Sequence, residues 1–198
     1  YDMKTDALWM DKHRKDPDIA YTTAWHVYNT DPSTGAYDPN PRLSKEDCVY
    51  AVELAVYNLE HWRELSDSAR LMNLRVLIHC VGDLHCPTHC YRWNPGGQKW
   101  PCIMNGKEYP TFHSIYDTMP EALWGGTKPD ALAELIDDAK AKDMKKIAAG
   151  SVRDWAKDCA QKVSVIYEIN PPADPRAAAQ GFAVYEGPKP QVLDPDTN

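Results

Sequence analysis

The sequence predicts a mainly α-helical fold, and two observations carry that reading. Apolar residues recur at helical spacing: Val49, Val52, Ala55, Val56 and Leu59 form one stripe, and Val152, Trp155, Cys159, Val163 and Ile166 another. These windows also carry helix start and stop signals, such as Ser44 and Ser66 ahead of apolar runs and Pro87 behind one.

In chain order, residues 3–14 read as a short helix and 30–42 as a loop. Residues 43–65 form a stronger helix, with Ser44 as a plausible N-cap and Asp47 three residues on. Residues 66–87 form another, capped by Ser66 or Asp67, with Leu71, Leu74, Leu77, Ile78 and Val81 as its apolar positions; Pro87 limits its extension. Residues 91–110 carry Pro-Gly-Gly and Asn-Gly turn signals around short aromatic or apolar pieces, which fits a small irregular hairpin. Helices are expected again over 113–123, 129–139, 141–149 and 151–169. Beyond Ile169 the chain turns Pro-rich and loses any clear period, so an extended or poorly ordered tail is expected. The expected division is a helical domain over 1–170 and a tail over 171–198.

Composition bounds the function. The chain has 198 residues, enough for one sizeable core. A net charge of −7 and a pI near 5.4 argue against a high-affinity duplex binder. They leave room for an enzyme that meets phosphate through bound cations, whose charge the formal count omits. No run of 18 apolar residues offers a membrane span. No signal peptide is visible in the opening "YDMKTDALWM", as in a processed chain. The six cysteines (48, 80, 86, 90, 102 and 159) include no CxxC, so a four-thiolate zinc site has no support. Together with seven tryptophans and sixteen prolines they suit an exported protein, secreted or periplasmic.

The chemistry concentrates in "HCVGDLHCPTH", residues 79–89. His79 and Asp83 lie four residues apart on one helix face. His113 and Asp117, in "FHSIYD", repeat the arrangement. Imidazole plus carboxylate is a ligand set that suits zinc, and a carboxylate can bridge two metals. His89 lies past the helix end, and Asp11 and His26, each near a tryptophan, add two candidates. A single His-xxx-Asp pair is most often a plain hydrogen bond; the weight rests on the ensemble. His13 and His61 sit in charged helical text and His85 points away from the Asp83 face, so these three read as bystanders.

The segments "LWMDKHR", "TAWHVYN", "LIHCVGDLHCPTH" and "FHSIYDT" together resemble the zinc-dependent single-strand nucleases of the nuclease S-one / nuclease P-one type, which share a superfamily with bacterial zinc phospholipase C. The spacings are 15 residues from Asp11 to His26, 4 from His79 to Asp83 and 10 from His79 to His89. The resemblance implies a single-domain helical fold of the phospholipase C / P-one nuclease type. It implies one zinc on Asp11, His26, His79 and Asp83, a second on His89, His113 and Asp117, and a bridge from Asp83 toward a third. It further implies hydrolysis of single-stranded DNA or RNA and of 3′-nucleotides, with the 3′ oxygen leaving and 5′-phosphates formed, by a monomer that keeps no stable nucleic-acid complex. Clustered zincs lower the pKa of bound water toward about 7 and offset charge on the phosphodiester.

By the same resemblance Asp11 and Asp83 are the catalytic carboxylates. Arg14 faces phosphate, where a planar fork suits an anionic oxygen pair. Tyr28 and Asn29 stand where the family places base contacts, although Val27 replaces the family's frequent aromatic. The phospholipase branch usually has glutamate where Asp117 stands and a gap shorter than the 24 residues from His89 to His113, so the nuclease branch is favoured. The family's third zinc uses a tryptophan at the N-terminus and a histidine a few residues on, and this sequence, with Tyr1 already close to Asp11, has no such pair. Two sites are thus complete in sequence and the third lacks its N-terminal ligands. Cys48 and Cys159 fall on two helices that the family bridges, Cys90 and Cys102 could close the turn-rich loop, and Cys80 and Cys86 stay unassigned. The alternatives are a phospholipase C-type phosphodiesterase and a zinc-stabilised, non-catalytic helical module.

Overall fold

A computed structural model of the chain describes residues 2–30, 37, 46–91, 96–98, 101–104, 107–119, 128–137, 139–169 and 191–193. It is mainly helical. The chain divides into two compact units, Tyr1–Arg92 with Val152–Val163, and Trp93–Ser151 with Ser164–Asn198. Among the described residues no helix is long and apolar enough to cross a membrane.

In the first unit the expected helix over 3–14 is two helices, α1 (Met3–Ala7) and α2 (Trp9–His13), which meet at Leu8. Asp2 caps α1 by accepting from the Lys4 N–H at 3.2 Å. A 3-10 segment, Ala20–His26, leads into β1 (Tyr28–Asn29), which pairs in parallel with β2 (Cys90–Tyr91). Helix α3 (Cys48–Glu60) starts later than expected. Its N-cap is Asp47, whose Oδ1 accepts from the Tyr50 N–H and the Tyr37 hydroxyl, each at 3.0 Å. Ser44 lies outside the described residues. The buried face of α3 is Cys48, Val49, Ala51, Val52 and Ala55, while Val56 is exposed.

Helix α4 (Asp67–Leu84) is capped by Ser66, which accepts from the Ala69 N–H at 3.2 Å. It ends ahead of Pro87, which opens the 3-10 turn Pro87–His89. Its buried positions are Val76, His79, Cys80 and Leu84 rather than the expected leucine stripe; Leu74 is exposed and Leu71, Leu77, Ile78 and Val81 are half-buried. The spacing of the buried set is still helical, but two of its four members are a histidine and a cysteine.

In the second unit β3 (Cys102–Met104) and β4 (Lys107–Tyr109) form the expected antiparallel hairpin, with Ile103 opposite Glu108. From the Pro-rich tail, β5 (Gln191–Leu193) adds to β3 in parallel; the rest of the tail lies outside the described residues. Helix α5 (Phe112–Asp117) opens with a reciprocal capping box between Thr111 and Ser114. Helix α6 (Pro129–Ile136) has proline in its first turn. The helix expected over 141–149 is a 3-10 turn, Ala141–Asp143, followed by α7 (Met144–Ile147). Helix α8 (Val152–Ile169) buries Ala156, Cys159, Ala160 and Val163 in the first unit.

The cysteines correct an expectation. Cys48, Cys80, Cys86 and Cys159 are free thiols, so Cys48 and Cys159 do not form the bridge the resemblance implied. Each has another neighbour: Cys48 Sγ donates to the Cys80 carbonyl at 3.2 Å, and Cys159 is hydrogen-bonded with the Tyr28 hydroxyl. Burial pushes the Cys48 thiol well up and the Cys159 thiol up to about 12, which keeps both protonated and weakly reactive. Cys90 lies 3.5 Å from Thr30 Oγ1.

Candidate metal centre

Helix α4 places His79 and Asp83 one turn apart, with Nε2 and Oδ2 separated by 3.1 Å. The 3-10 segment ends on His26, whose Nδ1 lies 3.0 Å from the same Asp83 oxygen. The turn opened by Pro87 ends on His89, whose Nδ1 lies 3.2 Å from Asp83 Oδ1. Three imidazoles from three elements therefore surround one carboxylate. His79 Nε2 and His26 Nδ1 are only 2.9 Å apart, with their rings nearly perpendicular. Asp11, on α2, brings its Oδ1 to 3.8 Å from His26 Nδ1. One ligand atom from each of Asp11, His26 and His79 lies within 4.8 Å of the others, the separation expected around a shared ion. The structure thus gathers the four residues of the first expected zinc set.

The electrostatics follow from this crowding. Burial favours the neutral acid at Asp83, but hydrogen bonds from His26, His79 and His89 outweigh it and hold the carboxyl well below its ordinary range. Burial pushes His79 down, and the hydrogen bond and charge of Asp83, helped by the Ala7 carbonyl, overcome this and raise it to about 9.

A zinc ion fits the donor set for two structural reasons. First, the imidazoles are oriented as metal ligands are, through a backbone carbonyl on Nδ1. His79 Nδ1 donates to the Ala7 carbonyl at 2.6 Å and His89 Nδ1 to the His26 carbonyl at 2.8 Å. That fixes the tautomer in which Nε2 carries the lone pair. Second, the nitrogens that face Asp83 converge on one point: His26 Nδ1 lies 2.9 Å from His79 Nε2, and both lie within 3.1 Å of the same Asp83 oxygen.

The second unit holds a His-Asp pair on α5. His113 is buried, donates from Nδ1 to the Gly96 carbonyl at 3.0 Å, and has its Nε2 3.5 Å from Asp117 Oδ2. The carbonyl is presented by a left-handed turn, with φ of 62° at Gly96 and 69° at Gly97. A Cβ on Gly97 would sit 2.8 Å from the Phe112 ring, so glycine lets the turn press against the residue beside His113.

The remaining expected site residues divide. Arg14 follows α2, half-exposed, with its guanidinium 3.8 Å from Asp11 Oδ1. Tyr28 is fully buried, and its hydroxyl donates to the Leu84 and Ala156 carbonyls at 2.9 and 3.3 Å. Its ring is a core element closed to a stacking base. Asn29 is also buried. The three bystander histidines make other contacts: His13 with Asp16, His61 with the Tyr57 carbonyl, His85 with the Val81 carbonyl. The orienting carbonyls of Ala7, His26 and Gly96 escaped sequence reasoning, because a backbone acceptor has no residue-type signal.

A comparison with curated proteins finds no match. The family model described as S1/P1 Nuclease matches residues 1–180, a span that holds every ligand residue named above. By that match the chain belongs to the S1/P1 nuclease family, a family of phosphodiester-cleaving hydrolases.

Proposed function

We propose that the chain is a zinc-dependent nuclease that hydrolyses single-stranded DNA or RNA to 5′-phosphate products and removes phosphate from 3′-nucleotides. The observation that carries this reading is the clustering of Asp11, His26 and His79 with the half-buried Asp83 carboxylate. These four would hold one zinc; His89, His113 and Asp117 would hold a second by the family resemblance. Asp83, with imidazoles on both oxygens, is the residue suited to serve more than one ion. Bound zinc supplies a hydroxide nucleophile near neutral pH and positive charge against the phosphodiester oxygens.

The protein's own groups do the rest. Asp83 and Asp11 set the charge of the site, and the carbonyl-anchored imidazoles hold it rigid. Arg14, at its edge, offers a fork that orients an anionic phosphate. Residues 1–170 form the proposed catalytic region, acting as a monomer without a lasting nucleic-acid complex. Members of the family are generally secreted, and a secreted or periplasmic location is proposed here.

The test is hydrolysis of end-labelled single-stranded DNA, single-stranded RNA and duplex DNA, alongside a 3′-nucleotide and phosphatidylcholine. Cleavage of the single strands to 5′-phosphate ends, abolished by a chelator and restored by zinc, is expected. Cleavage of phosphatidylcholine alone would move the chain to the phospholipase reading. Zinc binding with no hydrolysis would leave the non-catalytic module.

A further inference from the structure

Behind the candidate centre, on the side of α4 that faces the N-terminal helices, lies an ion pair that the ligand set does not use. Asp6 is 5 % exposed on α1, and its Oδ1 lies 2.6 Å from Arg75 Nε. The same guanidinium stands 4.4 Å over the Trp9 ring of α2. Arg75 is one helical turn before His79. Asp6 is the neighbour of Ala7, whose carbonyl takes the His79 Nδ1 proton. Trp9 lies two residues before Asp11.

We infer that Arg75, paired with Asp6, is a positioning residue for the metal centre. Through Asp6 it holds the Ala7 carbonyl against His79, and through Trp9 it holds α2 so that Asp11 faces the imidazoles. One guanidinium thus braces two ligands that are 68 residues apart in sequence. The role needs arginine, because it joins a directed hydrogen bond to a flat cationic face stacked on indole; the lysine ammonium supplies the charge without the plane. Groups that orient a metal ligand typically change metal affinity by roughly ten- to a hundred-fold when removed.

This inference rests on the zinc reading above, and its test separates the two. Zinc affinity is measured on apo-protein by competition with a chromophoric chelator, and the cobalt absorption spectrum reports ligand geometry. Arg75→Lys keeps the charge pair and the fold. A double variant, Asp6→Leu with Arg75→Met, replaces the pair by apolar side chains, since removing one partner alone leaves a buried charge and is strongly destabilising. Val163→Ala, a buried position on α8, controls for lost stability. Both brace variants are expected to bind zinc roughly ten- to a hundred-fold more weakly with an altered cobalt spectrum, and Val163→Ala to bind as the parent does. Brace variants that bind zinc with parental affinity and spectrum would overturn the inference while leaving the metal centre intact. So would an equal loss in Val163→Ala. A parent that binds no zinc would remove the metal reading and the brace together. Should the double variant fail to fold, Arg75→Lys decides alone.

Discussion

Asp83 and Asp117 occupy the same place in the same motif, four residues after a histidine on a helix, yet their surroundings differ. The Asp83 side chain is 14 % exposed and meets imidazoles from α4, from the 3-10 segment before β1 and from the turn after Pro87. The Asp117 side chain is 45 % exposed and lies 3.5 Å from the histidine of its own helix. Helical spacing delivers the local pair in both cases. What turns Asp83 into the hub is the arrival of His26, 57 residues away, and of His89 around the turn.

The largest effect is expected at the hub. Asp83→Asn removes the charge that three imidazoles share, so hydrolysis of single-stranded DNA should fall by more than the roughly hundred-fold typical of groups that act through a ligand, and zinc content should fall with it. Retained zinc and rate would erase the contrast with Asp117. Asp117→Asn should cost less, roughly ten-fold in rate, because solvent can replace an exposed carboxylate oxygen; an effect equal to that of Asp83→Asn would put the two half-sites on the same footing.

The metal-free protein should show the hub in its pH dependence. The Asp83 carboxyl is depressed, so its contribution to stability is complete above the ordinary value of 3.8 and fades as pH falls toward the folded value. His79 is raised from 6.5 to about 9, so its contribution is complete below 6.5 and is lost as pH rises through about 9. The melting temperature of apo-protein should therefore decline between pH 6.5 and 9. Zinc should reverse the trend, since it must displace the His79 proton and binds more tightly as pH rises. A flat apo profile would contradict the ion-paired hub.

At the second half-site Gly97→Ala should destabilise by about 1–3 kcal/mol, read from the denaturation midpoint, because the left-handed turn and the Phe112 ring both oppose a Cβ. The smallest effect belongs to His61→Ala. His61 is exposed and bonded to its own helix, so rate should be unchanged and stability within about 0.5 kcal/mol.

Much of this was legible in the sequence, and the exceptions have physical causes. Helices α3 and α8 follow from their apolar stripes, α4 from its Ser66 cap and the Pro87 stop, and the hairpin from its turn residues. The buried face of α4 was misjudged because His79 and Cys80 occupy it, and no hydrophobic pattern expects an imidazole in a core until its metal-like partners are known. Helices α1 and α2 read as one because Leu8 breaks them without a glycine or proline. The site histidines were separated from the bystanders by spacing and resemblance, and the structure places His26, His79 and His89 around Asp83. Tyr28 went the other way: its position beside His26 suggested a base contact, but its hydroxyl is committed to two carbonyls in the core. The brace between Asp6 and Arg75 had no local signal, since its partners lie 69 residues apart.

The central claim is that the Asp83 carboxylate and its imidazoles are a zinc centre. The most direct measurement is zinc per chain in metal-replete protein, by elemental analysis with intact mass on the same sample. Bound zinc at or above two per chain in the parent, falling in Asp83→Asn and unchanged in His61→Ala, is the predicted result. A folded parent that retains no zinc after metal-replete purification would contradict it.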